Sequence, residues 1–230
     1  MLLATYLGRI SPVGAMRKIE YSKVYTTGCE APLKICRGHF ATNHAHLNYY
    51  IDITTLKTRS GEAYDIARCL SGVYFYGAVI DTIVCMEGTD VIGAFLSEEL
   101  TKSGVLSANA HKSMYVVHPE FNSNSQLIFR DNLIPEIEGK NILVLLANLT
   151  TGKTLDKILE CIQYYQGRLV GVSAIFSAVE EYQGIPIFSV FGKKNIPDYA
   201  SWNYRQCPLC HAGERIDALV NAYGYEPLEQ

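Results

Sequence analysis

The sequence predicts an α/β fold with a mostly parallel sheet, because short apolar runs alternate with segments of helical periodicity. Of the 230 residues, 48% are hydrophobic and 19% are charged, which is typical of a globular chain with a sizeable core. The apolar runs that have the length of core strands are Ile80–Met86, Met114–Val117, Asn141–Ala147, Leu169–Phe176 and Ile185–Phe191.

Three segments beside these runs carry apolar residues at helical spacing, and a glycine follows each segment as a C-cap. The predicted helices are Glu62–Tyr76, Val91–Lys102 and Gly152–Tyr165, closed by Gly77, Gly104 and Gly167 in that order. Helices of roughly 10–15 residues between strands indicate βαβ units, and these units make neighbouring strands parallel.

Four shorter segments complete the pattern. Tyr21–Tyr25 and Tyr49–Thr54 have the composition of strands. Pro119–Arg130 is polar and rich in asparagine, which favours a long excursion or a hairpin. Ala212–Tyr223 carries its few apolar residues at helical spacing and is predicted to form a short amphipathic helix.

These elements divide the chain into an extension at residues 1–20, a segment at 21–60, an α/β core at 61–195 and a tail at 196–230. Residues 1–15 have no basic region before their apolar one, so we expect a leader that does not pack rather than a signal peptide. Without an export signal, the seven cysteines are expected to be reduced and the protein to be cytoplasmic.

The charge and hydropathy of the chain argue against two classes of partner. A formal net charge of −3 does not suit nucleic acid or an anionic membrane surface. No apolar run reaches the roughly 18 residues that a membrane span needs. The function must therefore be sought in individual motifs.

The most informative stretch is the polar turn Thr150–Thr154, which joins the apolar run Ile142–Leu146 to a predicted helix. This arrangement suits a phosphate, because a helix N-terminus offers unpaired N–H groups and a partial positive charge. The glycine lets the backbone approach the ligand, while the hydroxyls and the ammonium group add donors. The predicted phosphate-binding residues are Thr150, Thr151, Gly152, Lys153 and Thr154.

A second turn, Glu87–Asp90, follows the run Ile80–Met86 and also opens into a helix. Ligands of open α/β sheets bind in the crevice beyond the carboxyl ends of the strands. We therefore expect the site to lie between this turn and Thr150–Thr154.

A P-loop phosphotransferase is one alternative, since Ala147–Thr154 fits a relaxed Walker A pattern. Such an enzyme needs an aspartate at the end of a later strand to hold magnesium. The later strands end in Phe176-Ser177 and Phe191-Gly192, without an aspartate. This alternative therefore ranks third, and a turn that binds no ligand also stays open.

Read together, these motifs resemble the type I phosphoribosyltransferases, and the orotate phosphoribosyltransferases in particular, over roughly residues 36–192. Gly38–Phe40, Tyr49–Asp52 and Leu56 resemble the N-terminal hood of the orotate enzymes. The strand ends at Glu87 and Thr150 occupy the places of the family's pyrophosphate loop and 5′-phosphate loop. The resemblance implies a five-stranded parallel core, a hood, a homodimer, and transfer of phosphoribose from phosphoribosyl pyrophosphate to a pyrimidine-type base, with orotate as the first guess.

The same resemblance implies roles for two further groups of residues. The loop that faces the pyrophosphate, with Mg²⁺ as a possible cofactor, comprises Glu87, Gly88, Thr89 and Asp90. The residues that face the base are Asn43, His44, His46 and Tyr50. No catalytic residue is assigned.

The chain departs from the family at the charged positions. Leu146 and Ala147 stand where the family has two acidic residues that hold the ribose hydroxyls, and Asn148 follows them. Val117–Phe129 matches the family's mobile basic loop but contains no lysine or arginine, which leaves His118 as its one possible cation. Two interpretations remain open: an enzyme of altered substrate, or a regulatory relative that binds phosphoribosyl pyrophosphate or a nucleotide without turnover.

The pair Cys207 and Cys210 forms half of a possible zinc site. The second half would come from Cys29 with Cys36, and His39 and His211 are the reserve ligands. Reduced thiols and a redox pair remain the alternatives. A zinc ion there would join the C-terminal tail to the hood.

Overall fold

The computed structural model describes residues 20–75, 77, 79–102, 108–110 and 113–228. The leader predicted at residues 1–15 and the helix cap predicted at Gly104 lie outside the described residues. The strands are β1 (Ser22–Thr26), β2 (Cys29–Ala41), β3 (His46–Asp52), β4 (Thr82–Cys85), β5 (Tyr115–Val117), β6 (Glu120–Phe121), β7 (Leu127–Ile128), β8 (Asn141–Leu149), β9 (Arg168–Ser177), β10 (Glu181–Tyr182), β11 (Ile185–Gly192), β12 (Ser201–Trp202), β13 (Ala218–Asn221) and β14 (Gly224–Pro227). The α-helices are α1 (Thr54–Thr58), α2 (Ser60–Ser71), α3 (Asp90–Lys102), α4 (Lys153–Tyr164) and α5 (Pro208–His211).

The core sheet has the strand order β10-β11-β9-β8-β4-β5. All neighbours in it are parallel except β10 and β11, so five parallel strands form its body. Every residue of β4 is buried, as expected of a parallel strand covered on both faces. The predicted α/β fold with a mostly parallel sheet is confirmed.

Helices cover the two faces of this sheet. On one face, the α2 and α3 side chains pack with Leu143 and Leu145 of β8. On the other face, α4 packs with Val144 and Leu146 of the same strand. The alternation of β8 between two apolar clusters explains why its sequence reads as one uninterrupted apolar run.

A second sheet of six strands, which we call the hood, includes strands from near both ends of the described chain. Its order is β12-β3-β2-β13-β14, with β1 paired to β2. The antiparallel β2 and β3 form its centre, while β13 lies parallel to β2 through Ala218–Phe40 and Leu219–Ala41 pairs. The tail predicted at residues 196–230 therefore contributes strands to the hood.

The amphipathic helix predicted at Ala212–Tyr223 is wrong. The segment begins just after α5, and it holds β13 and the turn into β14. Ala218 and Val220 are buried while the residues that alternate with them are exposed, which is the period of a strand. Asn221 closes the hairpin, because its side-chain oxygen accepts hydrogen bonds from the N–H groups of Tyr223 (2.8 Å) and Gly224 (3.1 Å). Three apolar residues in so short a segment fit both periods.

Two further elements refine the predictions. The 13-residue β2 was not predicted, because charged and polar residues interrupt its apolar positions. Pro119–Arg130 forms the predicted hairpin from β6 and β7.

Among the described helices, none is both long and apolar enough to cross a membrane.

Candidate functional site

A cavity of about 510 Å³ lies where the carboxyl ends of β4 and β8 meet the hood. The structure brings three predicted groups of residues to its wall, as the crevice rule for parallel sheets leads one to expect. They are Thr150, Thr151, Lys153 and Thr154 from the turn after β8, Glu87, Gly88 and Asp90 from the turn after β4, and Asn43, His44 and Tyr50 from the hood.

Three predicted residues do not line the cavity. Gly152 lies beneath the ring of Tyr182, and Thr89 is fully buried with its hydroxyl 2.9 Å from the carbonyl oxygen of Met86. His46 is the third, and its ring lies in a separate group of histidines and cysteines rather than at the cavity wall. Leu47, Tyr49, Tyr50 and Ile51 of β3 border the cavity, whereas His46 at the start of the same strand does not.

The turn after β8 leads directly into α4 through Gly152, which has a φ of 80°. No side chain caps this helix N-terminus among the described residues, so its first N–H groups remain open to a ligand. Asp156 in the first turn is directed elsewhere, since it accepts hydrogen bonds from the Tyr182 hydroxyl (2.8 Å) and the Gln183 amide (3.0 Å). The turn therefore combines a helix dipole with the side chains of Thr150 and Lys153.

The turn after β4 has an unusual backbone, because Glu87 and Gly88 both have positive φ values of 58° and 79°. The Glu87 carboxylate accepts a long hydrogen bond from the Asn148 N–H (3.4 Å), which links the turn after β4 to the end of β8. Burial raises the pKa of Glu87, although the Asn148 N–H and the Lys57 ammonium oppose this shift. Asp90 pairs with His118 at 2.9 Å and thereby connects the turn to the segment before β6.

Lys57 is a residue of this region that the sequence analysis missed. Its side chain is 6% exposed, and its ammonium donates to the carbonyl oxygens of Glu87 (2.6 Å) and Ala222 (2.7 Å). It also lies 5.5 Å from the ring centre of Tyr223. Burial lowers the pKa of Lys57, while the nearby acidic side chains, Glu87 first among them, act in the opposite direction. Lys57 therefore holds the β4 turn and the tail hairpin together behind the cavity.

Two polar atoms at the cavity wall have no hydrogen-bond partner among the described residues. They are the side-chain oxygen of Asn148 and the hydroxyl of Tyr199, and both atoms are buried. The ring of Tyr199 is fixed by an edge contact with Phe176, whose ring centre is 5.2 Å away. Buried polar groups are nearly always paired, so these two atoms mark places that a polar ligand would satisfy.

The charges that are absent from the sequence are also absent from the cavity wall. Leu146 and Ala147 are fully buried in β8 and belong to the apolar clusters on opposite faces of the core sheet. The β6–β7 hairpin brings Phe121 and Leu127 to the cavity instead of cations. Among the lining residues, Lys153 is the one lysine or arginine, and it shares the wall with the histidines His44 and His118 and the acidic residues Glu87 and Asp90.

A second group of chemically reactive residues lies outside this cavity. Ligand atoms of His39, His46, Cys207 and Cys210 all fall within 4.8 Å of one another. The predicted pairing of Cys207 and Cys210 with Cys29 and Cys36 is wrong, because Cys29 groups with Asp65 and Cys69, and Cys36 contacts the carbonyl oxygen of Arg37. His39, a reserve ligand in the prediction, is part of the group, whereas His211 contacts the carbonyl oxygen of Arg205.

Solved structures of other proteins have a similar arrangement of strands and helices. The UMP synthase of Leishmania donovani superposes with a TM-score of 0.53 and 15% identity, over 71% of this chain and 34% of that one. The chain has a type I phosphoribosyltransferase-like fold. The orotate phosphoribosyltransferase of Mycobacterium tuberculosis H37Rv gives a TM-score of 0.47 and 16% identity, over 71% of this chain and 92% of that one.

Sequence comparison reaches a different kind of protein. The transcriptional regulator GfcR of Methanocorpusculum labreanum is 24% identical over 113 residues, which span 48% of this chain and 57% of the regulator. No family model matches the sequence. At these identities, the phosphoribosyltransferase-like fold is established and the activity is not, so the function must be argued from the residues of the cavity.

Proposed function

We propose that the chain binds a phosphorylated ribose compound, phosphoribosyl pyrophosphate or a nucleoside 5′-monophosphate, in the cavity between core and hood. The main support for this proposal is the N-terminus of α4, which no side chain caps. The turn Thr150–Lys153 at this N-terminus borders the cavity of about 510 Å³. A volume of this size suits a small ligand. The 5′-phosphate would accept hydrogen bonds from the α4 N–H groups, from Thr150 and Thr151, and from Lys153.

The unpartnered atoms support a polar sugar beside that phosphate. The Asn148 side-chain oxygen is one residue beyond Leu146-Ala147 and can accept a hydrogen bond from a ribose hydroxyl. The Tyr199 hydroxyl, also at the cavity wall, can donate or accept a hydrogen bond. Asn43, His44 and Tyr50 remain our proposed contacts to a base.

We favour binding with a regulatory role over catalysis. Loss of pyrophosphate builds negative charge on the leaving group, and preorganised cations are the main way to stabilise it. The segment Val117–Phe129 offers His118 alone, and that ring already contacts Asp90. Similarity to a protein named as a transcriptional regulator supports the same choice. The homodimer and the cytoplasmic location stay part of this proposal.

Transfer of phosphoribose to a pyrimidine-type base is the second candidate. Glu87 and Asp90 favour it, because carboxylate oxygens at the cavity wall are the ligands that Mg²⁺ prefers. Bound there, Mg²⁺ would neutralise part of the pyrophosphate charge. The donor set therefore fits the ion in kind, although Glu87 and Asp90 already engage the Asn148 N–H and His118.

Calorimetric titration with phosphoribosyl pyrophosphate and Mg²⁺, run beside an orotate absorbance assay, separates the two candidates. Binding without loss of orotate absorbance is the expected result, and turnover would establish the enzyme. Binding of ATP with no response to phosphoribosyl pyrophosphate or to a nucleoside monophosphate would favour a P-loop protein instead.

Two substitutions test the placement of the ligand. Thr151→Val removes a phosphate donor and should weaken binding of phosphoribosyl pyrophosphate at least tenfold, or about 1.4 kcal/mol. Tyr199→Phe should weaken it about fivefold and leave the melting temperature of the free protein unchanged or higher, because its hydroxyl has no partner to lose. Tyr74→Phe is the matched control: its hydroxyl is 2.7 Å from that of Ser173 and outside the cavity wall, so stability should fall while affinity stays constant. Unchanged affinity in both Thr151→Val and Tyr199→Phe would contradict the placement.

A further inference from the structure

The group of His39, His46, Cys207 and Cys210 sits where the tail meets the hood sheet. A β-bulge in β2 places Gly38 and His39 opposite Asn48 alone, since Arg37 pairs with Tyr49 and Phe40 with Leu47. A bulge redirects the side chains beside it. The His39 ring is buried, and its Nε2 faces Cys207, the N-cap of α5, and Cys210 within that helix.

Four of the six distances between ligand atoms of the group are close to the edges of a tetrahedron around a metal ion, and all six are within 4.8 Å. The nitrogens His39 Nε2 and His46 Nδ1 are 3.1 Å apart. Cys207 Sγ lies 3.5 Å from His39 Nε2, and Cys210 Sγ lies 3.6 Å from His39 Nε2 and 3.2 Å from His46 Nδ1. Around a zinc ion bound at usual lengths, such edges measure about 3.3 Å between nitrogens and about 3.6 Å between nitrogen and sulfur.

Hydrogen bonding alone does not explain these contacts. His39 Nδ1 is 3.0 Å from the Glu214 carbonyl oxygen and must donate its proton there, so Nε2 carries the single ring lone pair. That lone pair would face three neighbours at once, which is more than one acceptor site can serve. A cation at the centre satisfies all four atoms, and the bond to the Glu214 carbonyl is the outer-shell contact that a metal-bound histidine usually makes.

We propose that His39, His46, Cys207 and Cys210 bind one structural Zn²⁺ ion. Two thiolates and two imidazoles suit zinc, and the two intervening residues of the cysteine pair have the spacing of a structural site. With four protein ligands the coordination shell is closed, so the ion stabilises the fold and does not act on a substrate.

The ion would anchor the tail at the point where its backbone already meets β2. Asp217 donates its N–H to the His39 carbonyl oxygen (2.7 Å) and accepts the His39 N–H at its carboxylate (2.9 Å). Residues 220–223 of the following hairpin line the cavity. Zinc would therefore support one wall of the cavity, whichever ligand occupies it.

Metal analysis of the full chain, purified with neither chelator nor added metal, tests the proposal directly. We expect about one zinc per chain, and less than about 0.2 would overturn the proposal. Cobalt added to chelator-treated protein should bind in its place and give the visible absorption of a tetrahedral site with thiolate ligands. A Cys207–Cys210 disulfide in metal-free protein that takes up no cobalt would establish a redox pair instead.

Matched variants locate the ion. Cys210→Ser should lose the zinc and lower the melting temperature by more than about 5 °C. Cys36→Ser, which removes a partly exposed thiol of β2 near the group, should keep the zinc content and the melting temperature of the wild type. Should Cys210→Ser fail to fold, cobalt spectra of the wild-type chain still decide, because they need no variant. Equal zinc content in the two variants would overturn the assignment.

Discussion

At the scale of single residues, the candidate phosphate turn depends on Gly152. Its positive φ aims the chain into α4, and the ring of Tyr182 covers the place where a side chain would begin. The Tyr182 hydroxyl donates to Asp156 on α4, so the ring is held in that position. The Tyr182 ring therefore packs on the turn at Gly152, while Thr150 and Thr151 remain at the cavity wall.

Gly152→Ala should therefore destabilise the protein for two reasons, namely strain at positive φ and collision with Tyr182. Gly184→Ala is the matched control, because Gly184 has a φ of 81° in the β10–β11 hairpin that carries Tyr182, with nothing near the added carbon. We expect a loss of about 1 kcal/mol in the free energy of unfolding for Gly184→Ala and at least about 2 kcal/mol more for Gly152→Ala. Urea denaturation measures both, and equal losses would show that the Tyr182 contact does not matter.

The residues at the cavity differ in whether their position there could be predicted from the sequence. Thr150–Thr154 and Glu87–Asp90 were predictable, because each follows an apolar run and precedes a helical pattern. Lys57 and Tyr199 were not, since their importance comes from burial and from backbone partners far along the chain. The surroundings of His46 were not predictable, because Cys210, whose sulfur lies 3.2 Å from its Nδ1, is 164 residues away along the chain.

At the scale of elements, Lys57 joins three pieces of the chain. It belongs to α1 and binds the turn after β4 and the β13–β14 hairpin through the Glu87 and Ala222 carbonyl oxygens. Those two pieces form part of the cavity wall. A buried ammonium with two carbonyl partners is strongly localised, since each hydrogen bond to a charged group contributes about 1.5–3 kcal/mol.

Lys57→Met keeps the apolar part of the side chain but removes both hydrogen bonds. The carbonyl oxygens of Glu87 and Ala222 then lose their donor. We expect the free energy of unfolding to fall by about 2–4 kcal/mol and ligand affinity in the cavity to fall with it. Lys34→Met serves as the control, because Lys34 is half-buried and donates to a single hydroxyl, that of Thr55 on the same α1. Chemical denaturation and calorimetry report the two effects, and similar losses in the two variants would refute this role for Lys57.

At the scale of the whole molecule, local sequence patterns specify the core sheet, whereas the second sheet depends on strand pairing between distant parts of the chain. The core sheet was predictable because each strand and its following helix are adjacent in sequence. The complete hood was not, because β13 pairs with β2 through Ala218 and Phe40, and no local pattern specifies a partner so distant. The tail was misread for the same reason: its strand period extends over only four residues.

Buried thiols and phenols are distributed through the core, and they predict how the whole molecule responds to alkaline pH. Burial raises the pKa of Cys161 from 9.0 to about 11 and that of Tyr74 from 10.0 to about 12, and it also raises the pKa of Cys85. A folded state that keeps its proton to higher pH than the unfolded state loses stability as pH rises through the interval. The lowered pKa of Lys57 acts in the opposite sense, but it is one group against several.

The free energy of unfolding should therefore be nearly constant from pH 7 to 8 and decline above about pH 9, by about 1.4 kcal/mol per pH unit for each fully buried thiol. Urea denaturation in reducing buffer between pH 7 and 10.5 measures this slope. Cys161→Ala should lower stability at every pH because it leaves a small cavity, yet it should make the decline between about pH 9 and 10.5 shallower, since one titrating thiol is gone. A slope identical to that of the wild type would mean that Cys161 has the same pKa in the folded and unfolded states. Water would then have to reach the Cys161 thiol in the folded protein, contrary to its packing in the apolar cluster of α4 and β8.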